Sequence, residues 1–346
     1  MELLKISEKD FKSFVDKKIS EKSEKIVSVV QKGAHYVFDE LDSADSMSLD
    51  YDVTILPPKK YFQPAKEILL KFKPGDAESY KALNNCDPLA IIGVHYYDLA
   101  AIYMMDRAFS EGERDEHYMR KRENSILIGL YPTKYFKYRF SKSVVRDQAY
   151  KVADLMMVKI NGDYIIEVVS EKGKEFIKNA EFTENTYSLK ELDEAKNAVK
   201  DDQKIPIPIE LVPDYLGKNH THPVWEVFGE KCISCGSCVL VCPTCYCFDV
   251  KDEVELSLAE GKRIRVWDGC MLEDFAVCAD GHNFRKEKAQ RFRHRIYRKG
   301  KHLPEKYHYF GCVGCGRCAY SCTADIAGPV KIFKYMEENK QGGKNV

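Results

Sequence analysis

The chain of 346 residues has no excess charge of either sign, with 54 Lys and Arg against 54 Asp and Glu. That balance gives no argument for nucleic acid or a membrane surface as a partner. No run approaches ~18 uninterrupted apolar residues, so no membrane-spanning helix is expected. The first ten residues, Met-Glu-Leu-Leu-Lys-Ile-Ser-Glu-Lys-Asp, are charged from the second position and lack a signal-peptide core. A cytoplasmic location follows as the expectation. Neither G-x-G-x-x-G nor G-x4-G-K-S/T occurs, so no nucleotide site is expected. No nucleophile–base arrangement is visible, and no catalytic residue is assigned. Cysteine is nearly absent from residues 1–231, where Cys86 stands alone.

The other twelve of the thirteen cysteines lie between 232 and 322. Without an export signal they argue for metal in a reducing compartment, not a disulfide framework. Eight form two runs, Cys232-Ile-Ser-Cys235-Gly-Ser-Cys238-Val-Leu-Val-Cys242 and Cys312-Val-Gly-Cys315-Gly-Arg-Cys318-Ala-Tyr-Ser-Cys322. Each reads C-x2-C-x2-C-x3-C, in which three thiolates wrap one 4Fe–4S cluster and the fourth serves the other cluster. Cys232, Cys235, Cys238 and Cys322 would hold the first cluster, and Cys312, Cys315, Cys318 and Cys242 the second. Pro243 follows Cys242 as the ferredoxin pattern expects, whereas Thr323 stands in that place after Cys322. Gly236 and Gly316 let the backbone crowd the inorganic sulfides. Structural zinc is the competing reading, but tetrahedral zinc gives no reason for three cysteines at even intervals before a fourth.

Cys245, Cys247 and Cys270 fall outside the runs. They read either as further ligands, for a third cluster or another metal, or as buried inert thiols. Cys86 and Cys278 read as ordinary small residues.

Along the chain, Ser7 reads as an N-cap before apolar residues at helical spacing, and Ser188 opens a capping box. Ile68-Leu-Leu70 reads as a strand bounded by the turn Lys73-Pro-Gly-Asp76. Leu89–Val94, Asp98–Arg107 and Ser125–Leu130 read as strand, amphipathic helix, strand, and predict a parallel pair with a crossover. His95 falls where the first strand meets the helix, as a capping or packed residue or as part of a ligand site. The alternating prolines of Lys204–Pro213 predict an extended linker. The expected organisation is therefore an α/β (α+β) domain over 1–215 and a ferredoxin-like domain over 216–346. Arg285 to Arg298 reads as an amphipathic helix with a solvated basic face, suited at most to docking an acidic redox partner. A Gly/Lys-rich tail closes the chain.

Longer motifs carry a resemblance. They are Leu56-Pro-Pro-Lys-Lys-Tyr-Phe-Gln-Pro64, Gly93-Val-His-Tyr-Tyr-Asp98, Tyr118-Met-Arg-Lys-Arg-Glu123, His222-Pro-Val-Trp225, both cysteine runs with Pro243-Thr-Cys-Tyr-Cys247, Val266-Trp-Asp-Gly-Cys270 and Gly281-His-Asn-Phe-Arg285. Over nearly its whole length the chain resembles the iron–sulfur β subunit of cytoplasmic nickel–iron sulfhydrogenases and, as a relative, the iron–sulfur electron carrier of anaerobic sulfite reductase. The resemblance implies a helical ferredoxin domain with two 4Fe–4S clusters. It also implies electron relay between a catalytic metallo-subunit and a flavin- and NAD(P)-binding reductase subunit, hydrogenase-type first and sulfite-reductase-type second. It departs from the family pattern at Tyr97 and over Leu130–Phe140, where family members carry cysteines and this chain carries aromatics. The N-terminal domain is then expected to dock partners without a cluster of its own. A non-redox iron–sulfur scaffold is the alternative.

Overall fold

The computed structural model describes residues 2–83 and 86–340, so the Gly/Lys-rich tail lies outside the described residues. Twelve strands are numbered in chain order: β1 Leu3–Ser7, β2 Lys25–Lys32, β3 His35–Glu40, β4 Lys66–Lys73, β5 Asp76–Ala82, β6 Leu89–His95, β7 Ser125–Leu130, β8 Leu155–Ile160, β9 Asp163–Val168, β10 Thr183–Glu184, β11 Phe248–Val254 and β12 Gly261–Trp267. They form two sheets and belong to two compact units.

The first unit comprises Met1–Pro64, Ala82–Phe136 and Arg146–Lys200. Its eight-stranded sheet runs β10-β1-β9-β8-β7-β6-β2-β3. The four central strands β2, β6, β7 and β8 are parallel, and the pairings outside them are antiparallel. The sequences explain the difference. β6, Leu-Ala-Ile-Ile-Gly-Val-His, is buried at every position, as a strand covered on both faces must be. The expected crossover is present, because helix Tyr96–Phe109 leaves β6 and the chain returns as β7 in parallel register. Ser7 caps helix Glu8–Glu21, accepting from the Asp10 N–H, and Ser188 with Glu191 closes a capping box on helix Leu189–Asn197.

His95 is wholly buried and packed. It stacks on Tyr51 at 3.9 Å between ring centroids, and its Nδ1 lies 2.7 Å from the Tyr97 hydroxyl. Tyr97, at the first cysteine-less position of the resemblance, is likewise fully buried. Aromatic packing therefore fills this place.

The second unit comprises Ala65–Lys81, Lys137–Val145 and Asp201–Val346. Four of its helices, Val212–Lys218, Val224–Lys231, Lys288–Tyr297 and Pro329–Glu338, gather aromatic side chains into one core. Trp225 is 1% exposed, with the rings of Tyr297 and Phe292 at 5.8 and 6.5 Å. Its indole N–H donates to the Asn219 carbonyl. His222 accepts from the Val224 N–H through Nδ1 and meets the Asn339 carbonyl through Nε2, so it too is a structural residue.

This unit is not purely helical. It also carries the sheet β11-β12-β4-β5, in which β12 runs antiparallel to β11 and β4. Arg265 of β12 pairs with Glu67 of β4 at 2.6 Å, and both side chains are nearly inaccessible. The turn expected at Lys73–Asp76 joins β4 to β5, with Gly75 at φ +83°. Because β4 belongs to β12, the units interleave in sequence, changing over near 64, 81, 136, 145 and 200, where the sequence reading drew one line at 215.

Candidate iron–sulfur centre

The two cysteine runs share one backbone course, offset by 80 positions. In the first, Ser234 and Gly236 have φ of +56° and +73°; in the second, Gly314 and Gly316 have +64° and +81°. Each glycine at the second position then caps a short helix, Ser237–Leu240 or Arg317–Tyr320, whose third and fourth residues donate back to its carbonyl. The left-handed turns let three cysteines face inward from one tight loop, which a right-handed course would splay. Gly314 and Gly316 are needed for space as well. A Cβ on either would come within 2.7 Å of the Phe140 or Tyr138 backbone, and the Phe140 N–H donates to the Gly314 carbonyl. The second cysteine-less stretch of the resemblance thus buttresses the second run with backbone and aromatic bulk.

Four cysteines line one cavity: Cys232, Cys235 and Cys238 of the first run and Cys322 of the second. Its empty space is about 390 Å³ with the mouth included, and Ile233, Met271, Phe292 and Ile326 make its walls apolar. Soft thiolates in an apolar wall suit iron–sulfur chemistry. The Cys235 thiol, at the exposed side, is held below its usual value by hydrogen bonding with the Ser237 side chain and backbone. Burial pushes Cys238 up to about 12, with Cys318, Cys270 and Cys232 as further contributors.

Around the second run the neighbours change. Burial pushes Cys312 up to about 12, and the charges that act on it belong to Lys299, Cys318 and Cys242. The segment after Cys242 lies beside the second run, because the Thr244 hydroxyl donates to the carbonyl of Gly311, the residue before Cys312. A hydrogen bond from Cys245 holds Cys242 well below the usual thiol range against its burial, helped by Lys299, Thr244 and Arg295. Cys245 is thus a partner of a run cysteine. Burial pushes Cys270 up to about 11, with Cys247 the next cause. Among the described residues, no group of three or more His, Cys, Asp or Glu side chains is close enough to hold a single metal ion, and this applies to the run cysteines as much as to Cys245, Cys247 and Cys270. Cys278 is exposed and Cys86 partly so.

The basic stretch needs correction. Helix Lys288–Tyr297 continues into a π-helical turn, Arg298–His302, and Arg291, Arg295 and Lys299 along it are 2%, 1% and 5% exposed. Spaced four apart, they form an inward stripe, while Lys286 and Lys288 remain in solvent. Arg291 donates to the Ser234 hydroxyl of the first run and to the carbonyls of Arg285 and Lys286. Arg295 donates to the Ala327 carbonyl, and its buried Nε has no protein partner. Lys299 donates to Thr244 Oγ1 at 2.7 Å and to Cys242 Sγ and the Gly311 carbonyl at 3.3 Å. Burial would lower Lys299, yet Cys242, Cys245 and Cys312 raise it well above the ordinary lysine value. Buried cations without carboxylate partners cost several kcal/mol, on the order of the penalty for any unpaired interior charge. An anionic thiolate–iron assembly supplies the missing negative charge, so the residues present fit such a group. The sequence alone puts Arg291 and Arg295 on the solvated basic face and does not single out Lys299; their i, i+4, i+8 spacing is the signal that they share the inward side.

Residues 231–326 match the family described as 4Fe-4S dicluster domain. Over 326 residues, 92% of this chain and 93% of the relative, the sequence is 32% identical to sulfhydrogenase 2 subunit beta of Pyrococcus furiosus. No solved structure shows a significant match. No helix among the described residues is long and apolar enough to cross a membrane. With similarity running through both units and a dicluster domain over the cysteine runs, the chain belongs to the iron–sulfur β-subunit family of sulfhydrogenases.

Proposed function

We propose that this protein is the electron-transfer subunit of a cytoplasmic, anaerobic oxidoreductase complex of the hydrogenase type. In this reading it binds two 4Fe–4S clusters and relays electrons between a catalytic metallo-subunit and a flavin- and NAD(P)-handling subunit. The observation that carries it is the cavity in which Cys322 joins Cys232, Cys235 and Cys238 across 84 residues of sequence. A ferredoxin uses such an exchange of the fourth ligand, and a zinc knuckle has no need of it. The hydrogen bond from Thr244, two residues after Cys242, to the Gly311 carbonyl next to Cys312 supports the reciprocal exchange.

When bound, each cluster supplies a one-electron acceptor and donor. The chain's own residues hold and shield it. The eight cysteines provide thiolates; Ile233, Met271, Phe292 and Ile326 keep water from the first site; Lys299 and Cys245 place hydrogen bonds on Cys242. The first unit, with aromatics where family members have cysteines, serves as the docking scaffold for partner subunits. Cys247 and Cys270 take packing roles beside the sites.

Anoxically purified protein is expected to contain about eight iron and eight sulfide per chain, the stoichiometry of two cubanes. Cys322→Ser and Cys242→Ser should each remove about half of the iron, and electron paramagnetic resonance should show that different clusters are lost. Zinc without iron would overturn the reading. Clusters that cannot be reduced within the range of NAD(P)H or ferredoxin couples would leave only a scaffold.

A further inference from the structure

We propose that Lys299 is the positioning residue that sets the reduction potential of the cluster held by Cys242, Cys312, Cys315 and Cys318, raising it through a fixed positive charge on the Cys242 sulfur. This rests on the cluster reading above. Of the three inward cations, only Lys299 donates to the sulfur of a run cysteine. Arg291 is anchored to Ser234 and two carbonyls, and Arg295 donates to a carbonyl.

The geometry is built, not incidental. An ammonium has three N–H donors, and the three acceptors Cys242 Sγ, Thr244 Oγ1 and Gly311 O use all of them. Gly311 returns the contact, donating its N–H to the Lys299 carbonyl at 2.8 Å. A Cβ at Gly311 would lie 2.9 Å from Lys299 Cα, so only glycine lets the two backbones approach. Thr244 in turn donates to the Gly311 carbonyl at 3.0 Å. Lys299 also lies in the π-helical turn, whose extra residue per hydrogen-bonded ring shifts it relative to a continued α-helix; such turns recur at functional sites.

Reduction adds one electron, and so one negative charge, to a cluster already anionic. A buried cation stabilises the reduced state more than the oxidised one, and a hydrogen bond to a ligand sulfur acts in the same direction. Burial of Cys242, Cys315 and Cys318 opposes this, because it disfavours added charge. With Lys299 in place the second cluster is pulled up, whereas the lysine's hydrogen bond reaches no sulfur of the first.

The test uses the full chain, purified without oxygen, with iron and sulfide counted and both midpoint potentials read by spectroscopically monitored titration. Lys299→Met with full iron content is expected to lower one midpoint potential while the other moves little, and Lys299→Arg should restore most of the shift. In a Cys322→Ser background, which keeps only the second cluster, Lys299→Met should lower the remaining potential. Both potentials unmoved, or both lowered equally, would overturn the proposal. If Lys299→Met loses iron, Lys299→Gln decides: a lowered potential supports the tuning role, and an unchanged potential or a second loss of iron overturns it. A wild-type protein without two reducible clusters would instead sink the underlying reading.

Discussion

Single residues around the cysteine runs show how burial and charge share the work. Lys299 and Arg295 are held in the interior by thiols, whereas His294, on the same helix, has no such support. Burial, with Arg285, Arg298 and His302 nearby, pushes His294 down to about 4. Its folded value is therefore below its unfolded one, and the unfolded chain binds more protons between about 6.5 and 4. The stability contributed by neutral His294 is fully present above that window and is lost as pH falls through it. Thermal unfolding of the anoxic protein should show a smaller loss between pH 7 and pH 5 in His294→Gln than in the wild type. Equal losses would show that protonation of His294 is not coupled to folding.

Among the secondary elements, β12 has the most to do with how the second unit closes. It pairs on one side with β11, the strand just before it, and on the other with β4, from nearly 200 positions earlier. The ion pair Arg265–Glu67 pins that long-range edge, and the Arg265 guanidinium lies 5.0 Å from the centre of the Phe248 ring. The same sheet carries Lys66–Glu253, which is exposed. Removing one partner of a buried pair strands a charge and costs about 3–5 kcal/mol, while an exposed pair is worth ~0–1 kcal/mol. Glu67→Gln is thus expected to lower unfolding stability by about 3 kcal/mol, and Glu253→Gln by less than about 1 kcal/mol. Denaturant titration of both variants checks the ordering, and similar costs would deny β12–β4 this anchoring role.

For the molecule as a whole, the interleaving of the two units limits how it can be divided. The second unit needs residues 65–81 for half of its sheet and 137–145 to buttress Gly314 and Gly316. A fragment of residues 216–346 would leave β12 with an unpaired edge and Arg265 buried without Glu67. Expressed alone, it is expected to aggregate or to retain far less iron than the full chain, as measured by size-exclusion chromatography and iron analysis. A soluble, fully loaded fragment would show that the β4–β5 hairpin and the 137–145 segment are dispensable.

Short-range signals carried most of what was legible. The caps at Ser7 and Ser188, the β6–helix–β7 crossover and the cysteine spacing depend on residues a few positions apart or on one repeated interval, so they could be read from the chain directly. The chemistry of the centre was legible for the same reason, because C-x2-C-x2-C-x3-C dictates the loop that holds the thiols. What tertiary packing added is long-range: the partner of β12, the place of 137–145, and the inward turn of Arg291, Arg295 and Lys299. A basic helix read alone belongs in water, since burying its charges is unfavourable until anionic partners are brought beside them. Those partners come from runs that meet only in the folded chain, so the cysteines announce themselves in the sequence while the cations beside them do not.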